Sequence, residues 1–450
     1  MLFEKCGLFA ICGQNDVQMG SKLYKGLSAL QHRGQYSAGA VFVDKNPSVI
    51  KGIGLVDKVF SQYNDLLDYR GRIALGHVCY GKDYMQDDDI QPLIIPSSKG
   101  TIYIAYNGCI SLTAGNKLET YSMSDIAYVG CVIKNKVESG TSITLALKEL
   151  YEIIKGAFCI IVVFDGVIYC LRDQYGFKPM CYGKTCDEQY VFASETCALN
   201  AVGVTSYKEI KPGELVICDG KNIVSDKSRC EKVQHALCSF EYIYLASKDS
   251  FLNGTSVTNF RYRSGKLLAR SSYIDCDLVI GVPRSGIDAA KGYAEESGLQ
   301  YGEGIRINNS VLRTFISPNQ VQRELLVKEK LSPITETIKG KNIVVVDDSI
   351  VRGTTAKQIV KMLRDAGAIK IHYRVASPCV VNCCNYGVDI CDKKSLLAYG
   401  NTIKKVQEII DADSLSFLEL NDLCLLMKET DTSACMACFN GFYPDEVKNG

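Results

Sequence analysis

The sequence predicts a two-domain chain, α+β in its first half and α/β with a parallel sheet in its second, and three observations carry that prediction. At 450 residues the chain can hold two or three separate cores. Its first 230 or so residues are rich in apolar runs, such as 158–164 and 167–171, parted by turn signals like Asp165–Gly166. From about residue 260 strands and helices alternate, which indicates a parallel sheet with helices on both faces.

In order, the polar stretch 225–231 is the predicted boundary. Residues 277–282 read as strand and 289–297 as helix. The string 343–355, IVVVDDSIVRGTT, then reads as a buried strand, a loop and the start of a helix that stops at Gly367. Residues 371–376 form a further strand, and from 401 the chain looks helical and then irregular.

Composition narrows the function. The 51 basic residues balance 50 acidic ones, which argues against a nucleic-acid or polybasic membrane partner. Apolar runs such as 157–164 fall far short of the roughly 18 residues that span a bilayer. The start, MLFEKCGLF, has no secretory apolar region. The 21 cysteines are scattered rather than framed, so a reducing, cytoplasmic setting is expected, with clustered cysteines as metal candidates.

The loop after 343–346 carries the clearest chemistry. A small-residue loop at a helix N-terminus offers backbone N–H groups and a positive dipole end to phosphate. Asp347 and Asp348 would repel a bare phosphate, but they suit a ligand that also brings ribose hydroxyls and Mg²⁺. The plain alternative is a solvated acidic turn. The whole string resembles the 5-phosphoribosyl-1-pyrophosphate (PRPP) loop of type I phosphoribosyltransferases.

The N-terminal half holds KCGLFAICG around Cys6, then QHRGQYSAGA (31–40), GHVCY (76–80), YNG (106–108) and SD (124–125). Alone, an early cysteine is structural and Asn107–Gly108 is a turn. In this order the pieces resemble the glutaminase domain of class II glutamine amidotransferases, which are N-terminal-nucleophile hydrolases. With LRDQYGFKP (171–179), ASETCAL (193–199) and KPGE (211–214), the chain from Cys6 to about Pro444 resembles the glutamine PRPP amidotransferase family.

That resemblance implies an αββα sandwich joined to a doubly wound phosphoribosyltransferase sheet, divided as 1–5 (propeptide), 6–230, 231–400 and a 401–450 tail. With the propeptide removed, the Cys6 α-amine serves as base for its own thiol. Asn107 and Gly108 form the oxyanion hole, and Asp125 holds the α-amino group of glutamine. Asp347 and Asp348 take ribose hydroxyls and the Mg²⁺ shell, while Ser349, Arg352, Gly353, Thr354 and Thr355 cradle the 5′-phosphate. Ser285 and Gly286, in GVPRSG, take pyrophosphate, and Arg313 and Lys330 belong to a lid whose closure opens a passage for ammonia. Cys238, Cys384, Cys435 and Cys438 match the ligands of a [4Fe–4S] cluster; a Cys₄ zinc site is the alternative, and Cys383 a rival ligand. Purine nucleotide effectors and a homodimer or homotetramer are also implied.

The chain departs from the family pattern at several points. Cys79 stands where the family has the arginine that pairs with the α-carboxylate of glutamine, a task for a bidentate guanidinium. Gly81–Lys82 replaces Ser/Thr-Thr, Tyr36 a glutamate, Arg284 an aspartate, and 307–310 a Lys-Asn-Arg-Tyr. Lys82 or Arg33 is the candidate replacement for the lost cation. Two other readings stay open: a phosphoribosyltransferase that uses only ammonia, and a non-catalytic protein that binds PRPP or nucleotides.

Overall fold

The computed structural model describes residues 6–81, 89–112, 124–230, 234–308, 331–390, 392–430 and 433–445. The propeptide, Lys82, Asn309, Ser310, Arg313 and Lys330 lie outside the described residues. The chain divides into two compact units, Met1–Leu237 with Asn385–Asp389, and Cys238–Cys384 with Ile390–Gly450.

The first unit is two antiparallel sheets, face to face, between helical layers. One sheet is built from β1 (Gly7–Gln18), β2 (Ser37–Val43), β3 (Ser48–Ile53), β4 (Arg70–Cys79), β9 (Cys181–Lys184), β10 (Tyr190–Ala193) and β11 (Tyr207–Glu209). The other uses β5 (Leu93–Ser97), β6 (Gly100–Leu112), β7 (Ile154–Phe164), β8 (Val167–Arg172), β12 (Leu215–Cys218) and β13 (Ile223–Asp226). Their orders are β11-β9-β10-β1-β4-β2-β3 and β13-β12-β8-β7-β6-β5.

Side-chain alternation along these strands produces the layers. Leu8, Ala10, Cys12 and Leu75 meet Tyr103, Ala105, Cys159 and Ile161 between the sheets. Phe9 and Ile11, one residue out of phase, pack instead with Leu23 and Leu27 of α1 (Gly20–Ala29) and Leu199 of α5 (Thr196–Ala201). On the opposite side, Ile104, Tyr106 and Ile160 pack under α3 (Asp125–Glu138) and α4 (Ile143–Ile153). The expected αββα sandwich is the fold found.

The second unit holds a parallel sheet in the order Leu278–Gly281, Asn342–Asp347, Lys370–Val375, Ser414–Phe417. After Leu278–Gly281 the chain runs to one side, bridging Tyr301 to Val279, before it returns to Asn342–Asp347 on the other. Those two strands therefore flank the point where the strand order reverses, and their carboxyl ends open on the crevice where such sheets bind ligands.

Two details differ from the sequence expectation. The helix expected over 289–297 begins at Gly286, because small residues let its first turn lie against the sheet. The tail contributes a strand, Ser414–Phe417, too short to register as a periodic signal. Among the described residues no helix is long and apolar enough to cross a membrane.

The helices Val257–Ser272 and Gly286–Ser297 approach so closely that a Cβ on Gly265 would lie 1.8 Å from the Ala289 carbonyl oxygen. Gly265→Ala should therefore force the pair apart and cost about 1–3 kcal/mol, measured as a lower thermal midpoint for the second unit.

Candidate functional site

The expected nucleophile, Cys6, lies at the end of β1. In the β1–β4 ladder Gly7 faces Val78 and Leu8 faces His77. Cys6, one residue beyond, is buried beside Asn107 of β6, whose Oδ1 accepts a hydrogen bond from the Cys6 N–H at 3.2 Å. Asn107 is buried, and among the described residues its Nδ2 has no hydrogen-bond partner. A buried donor left without an acceptor is costly, and it is what an oxyanion site shows before its ligand arrives. Gly108 must be glycine, because a Cβ there would lie 2.1 Å from the Ala157 carbonyl oxygen.

Arg33 is buried and engaged. Its Nε donates to the Cys6 carbonyl at 3.0 Å and a terminal nitrogen donates to Glu195 at 2.5 Å, while His32 meets the same carboxylate oxygen at 2.8 Å. This arrangement fixes the backbone of Cys6. The sequence reading did not single out Glu195; its only signal was membership of ASETCAL.

His77 spans the sheets, with Nε2 donating to the Tyr106 carbonyl at 3.2 Å, and burial holds its pKa down to about 3, so it stays neutral. Asp125 caps the approach from α3, accepting from the Ile110 N–H at 3.2 Å and the Tyr106 hydroxyl at 3.3 Å. Burial raises its pKa, so a cationic partner would stabilise it. Cys79 lies 3.8 Å from Cys6, sulfur to sulfur.

In the motif 171–179, Asp173 is a backbone clamp. It accepts from the N–H groups of Tyr175, Gly176, Phe177 and Phe158, while Arg172 ties Ile210 and Gly176. Its part is structural.

In the second unit the two loops at the switch point are joined. Ser285 hydrogen-bonds to Asp348, whose other oxygen accepts from Ser349 at 2.6 Å. Asp347 accepts from Tyr373 at 2.6 Å. Gly353 adopts φ +78°, the left-handed region, and its missing Cβ would strike Leu397. It caps the helix Thr354–Asp365, so Ser349 to Thr355 wrap a free helix N-terminus. Gly286 lets its helix start 2.5 Å from the Val346 carbonyl, measured to an imagined Cβ. Arg284 is exposed beside Ser285, and the Pro283–Arg284 peptide is cis.

Burial and mutual repulsion push Asp347 up to about 8, and burial also raises Asp348. Two adjoining acids that resist ionisation fit a site completed by a divalent cation or by ribose hydroxyls.

The four predicted cysteines all belong to the second unit. Leu237–Cys238 pairs with Ala434–Cys435 as a two-stranded ribbon, and Ser239 donates to the Cys435 carbonyl at 2.9 Å. The N–H groups of Val381 and Asn382 bind the Cys438 carbonyl, both at 3.0 Å. Burial raises the pKa values of Cys435 and Cys438, and repulsion from Cys238 and Cys384 adds to it. Thiols that repel one another when ionised are the donor set that a multiply charged iron or zinc centre satisfies.

A nucleophile-type αββα sandwich and a phosphoribosyltransferase-type sheet in one chain define the class: an amidotransferase built from a glutaminase and a synthase. A glutamine amidotransferase domain model matches residues 82–201. The amidophosphoribosyltransferase of Methanocaldococcus jannaschii is 37% identical over 470 aligned positions, covering 98% of each chain. That of Bacillus subtilis is 37% identical over 461, covering 99% of this chain and 95% of the other. The solved structure of B. subtilis glutamine PRPP amidotransferase complexed with ADP and GMP matches with a TM-score of 0.88 at 36% identity, over 99% of this chain and 98% of that one. The chain belongs to the amidophosphoribosyltransferase family.

The raised acids make a prediction without ligand. Burial and its neighbour's charge hold Asp347 above the ordinary carboxylate range, so the pair keeps a proton at a pH where ordinary aspartates are ionised and releases it as pH rises. Infrared spectra should show a protonated carboxyl band near neutral pH that titrates away as pH rises and is reduced in Asp347→Asn.

Proposed function

We propose that the chain makes 5-phosphoribosylamine, glutamate and pyrophosphate from PRPP, glutamine and water, the opening step of purine synthesis. The observation that carries this is the orphaned Asn107 Nδ2 beside Cys6, in a chain of this family.

Once residues 1–5 are cleaved, the Cys6 nitrogen becomes an amine of pKa about 7.7–8.0, already held against Asn107 Oδ1. It takes the proton of its own thiol, and the thiolate attacks the side-chain amide of glutamine. Asn107 Nδ2 and the Gly108 N–H receive the oxyanion, ammonia leaves, and water hydrolyses the thioester. Arg33, drawn between Glu195 and the Cys6 carbonyl, keeps the nucleophile in place. Asp125 receives the α-ammonium of glutamine.

In the second unit Asp347 and Asp348 bind ribose hydroxyls, Ser349, Arg352, Gly353, Thr354 and Thr355 hold the 5′-phosphate, and Ser285 and Gly286 the diphosphate. Arg313 and Lys330, outside the described residues, are the proposed further cations for PRPP. Asp347 and Asp348 would hold Mg²⁺, which would supply stabilisation of the negative charge on the leaving group. Ammonia then attacks the anomeric carbon as pyrophosphate departs. Cys238, Cys384, Cys435 and Cys438 fit a [4Fe–4S] cluster that staples the tail, with four-thiolate zinc as the alternative. Purine nucleotides such as those bound to the B. subtilis enzyme are the proposed effectors, and a homodimer or homotetramer the assembly.

Cys79 favours a second reading, turnover with ammonia alone, because no guanidinium stands at that position. Anaerobic pyrophosphate release from PRPP and Mg²⁺ separates the two. Turnover is expected with glutamine and with ammonium chloride. Cys6→Ala should lose the first and keep the second, and Asn107→Ala should lower glutamine turnover by about 10²–10³-fold. Asp347→Asn should lose both. Iron and sulfide in the same preparation support the cluster; zinc alone rejects it. Activity with ammonium only establishes the second reading, and silence with both sources rejects the enzyme.

A further inference from the structure

We propose that Cys6 and Cys79 are a reversible redox pair, in which a peroxide converts the nucleophile to a disulfide with its cross-strand neighbour and so switches off glutamine use. The switch rests on the reading of Cys6 as nucleophile; the disulfide itself does not.

The geometry comes from the register. Extending Gly7↔Val78 and Leu8↔His77 by one residue sets Cys6 opposite Cys79. Directly opposed residues in an antiparallel pair have Cα atoms about 4.5–5.5 Å apart, inside the roughly 4.4–6.8 Å that disulfides use. The sulfurs are already 3.8 Å apart. Both are buried, and they share a proton: the Cys6 thiol donates to Cys79 and lowers its pKa. The bond biases Cys79 toward thiolate, the form that attacks a sulfenic acid on Cys6.

Another close pair shows what sets this one apart. Cys12 and Cys218 are 3.3 Å apart, and their hydrogen bond raises Cys12 and lowers Cys218 much as Cys79 is lowered, but they sit in the apolar core between the sheets. No substrate visits them. Cys6, read as the nucleophile, has to be reached by glutamine, and a peroxide is smaller.

The chemistry balances with hydrogen peroxide as oxidant. The Cys6 thiolate attacks one peroxide oxygen, the O–O bond breaks, and hydroxide leaves, giving a sulfenic acid. The Cys79 sulfur attacks that sulfur, the S–O bond breaks, and water leaves with the thiol proton. Two thiols lose two electrons, and one peroxide becomes two waters. A dithiol reverses the bond by exchange. The disulfide also shields the nucleophile from sulfinic and sulfonic acids, which small thiols do not repair.

The test uses the whole protein, prepared anaerobically, exposed briefly to hydrogen peroxide and quenched. Non-reducing peptide mapping should find Cys6 joined to Cys79. Glutamine-dependent pyrophosphate release should fall by about tenfold or more while ammonium-dependent release persists, and dithiothreitol should restore it. In Cys79→Ser the same treatment should drive Cys6 to sulfinic acid, which dithiothreitol does not reverse. Wild-type protein with Cys6 sulfinic acid and no Cys6–Cys79 peptide overturns the proposal. Parallel loss of both activities overturns the selective switch, since damage at the four-cysteine site would do that. Reduced protein silent with glutamine, yet forming the cross-link, refutes the glutaminase reading and leaves the disulfide established.

Discussion

The antiparallel register between β1 and β4 is the constraint on which the first site depends. With Gly7 facing Val78, the side chains of residues 6, 8 and 10 point into the space between the sheets, and those of 9 and 11 toward the helices. A slip of one residue would turn Cys6 to the helical layer, away from Asn107. The register is held by burial on both faces: Leu8 and Ala10 inside, Phe9 and Ile11 outside. Cys6, the proposed nucleophile, one residue beyond the last pair, is thus set by the ladder without being locked into it. Arg33 and Glu195 then hold its carbonyl from the far side.

The second site follows from a different constraint. Reversal of strand order brings two loops to one crevice, and the link from Ser285 to Asp348 joins them directly. Glycines at 286 and 353 let backbone approach where a side chain would collide with Val346 or Leu397. Polar backbone and two reluctant acids remain, an environment that would suit the proposed metal–phosphosugar ligand.

How much was legible in the sequence varied with distance along the chain. The Asp347–Asp348 loop could be read outright, because strand, acids, small residues and helix start are contiguous in thirteen residues, 343–355. The sandwich was legible as strands, but alternation tells which face a residue takes and not which strand it meets. Thus Cys6 and Asn107 were joined only by resemblance, and the partnership of Arg33 with Glu195, 162 positions away, was not foreseen. The four cysteines span 238 to 438 and have no local pattern beyond one Cys-x-x-Cys. The nearness of Cys79 to Cys6 required the register itself. Where the chain departs from its family, at Cys79 and Arg284, the local pattern was plain and its consequence was not.

The most direct measurement of the central claim is covalent labelling with a glutamine analogue that carries an electrophilic diazoketone in place of the side-chain amide, read by peptide mass spectrometry. The account predicts a single adduct on Cys6, in a chain whose first residue is Cys6. An unlabelled Cys6, or an adduct on Cys79 or elsewhere, would contradict it.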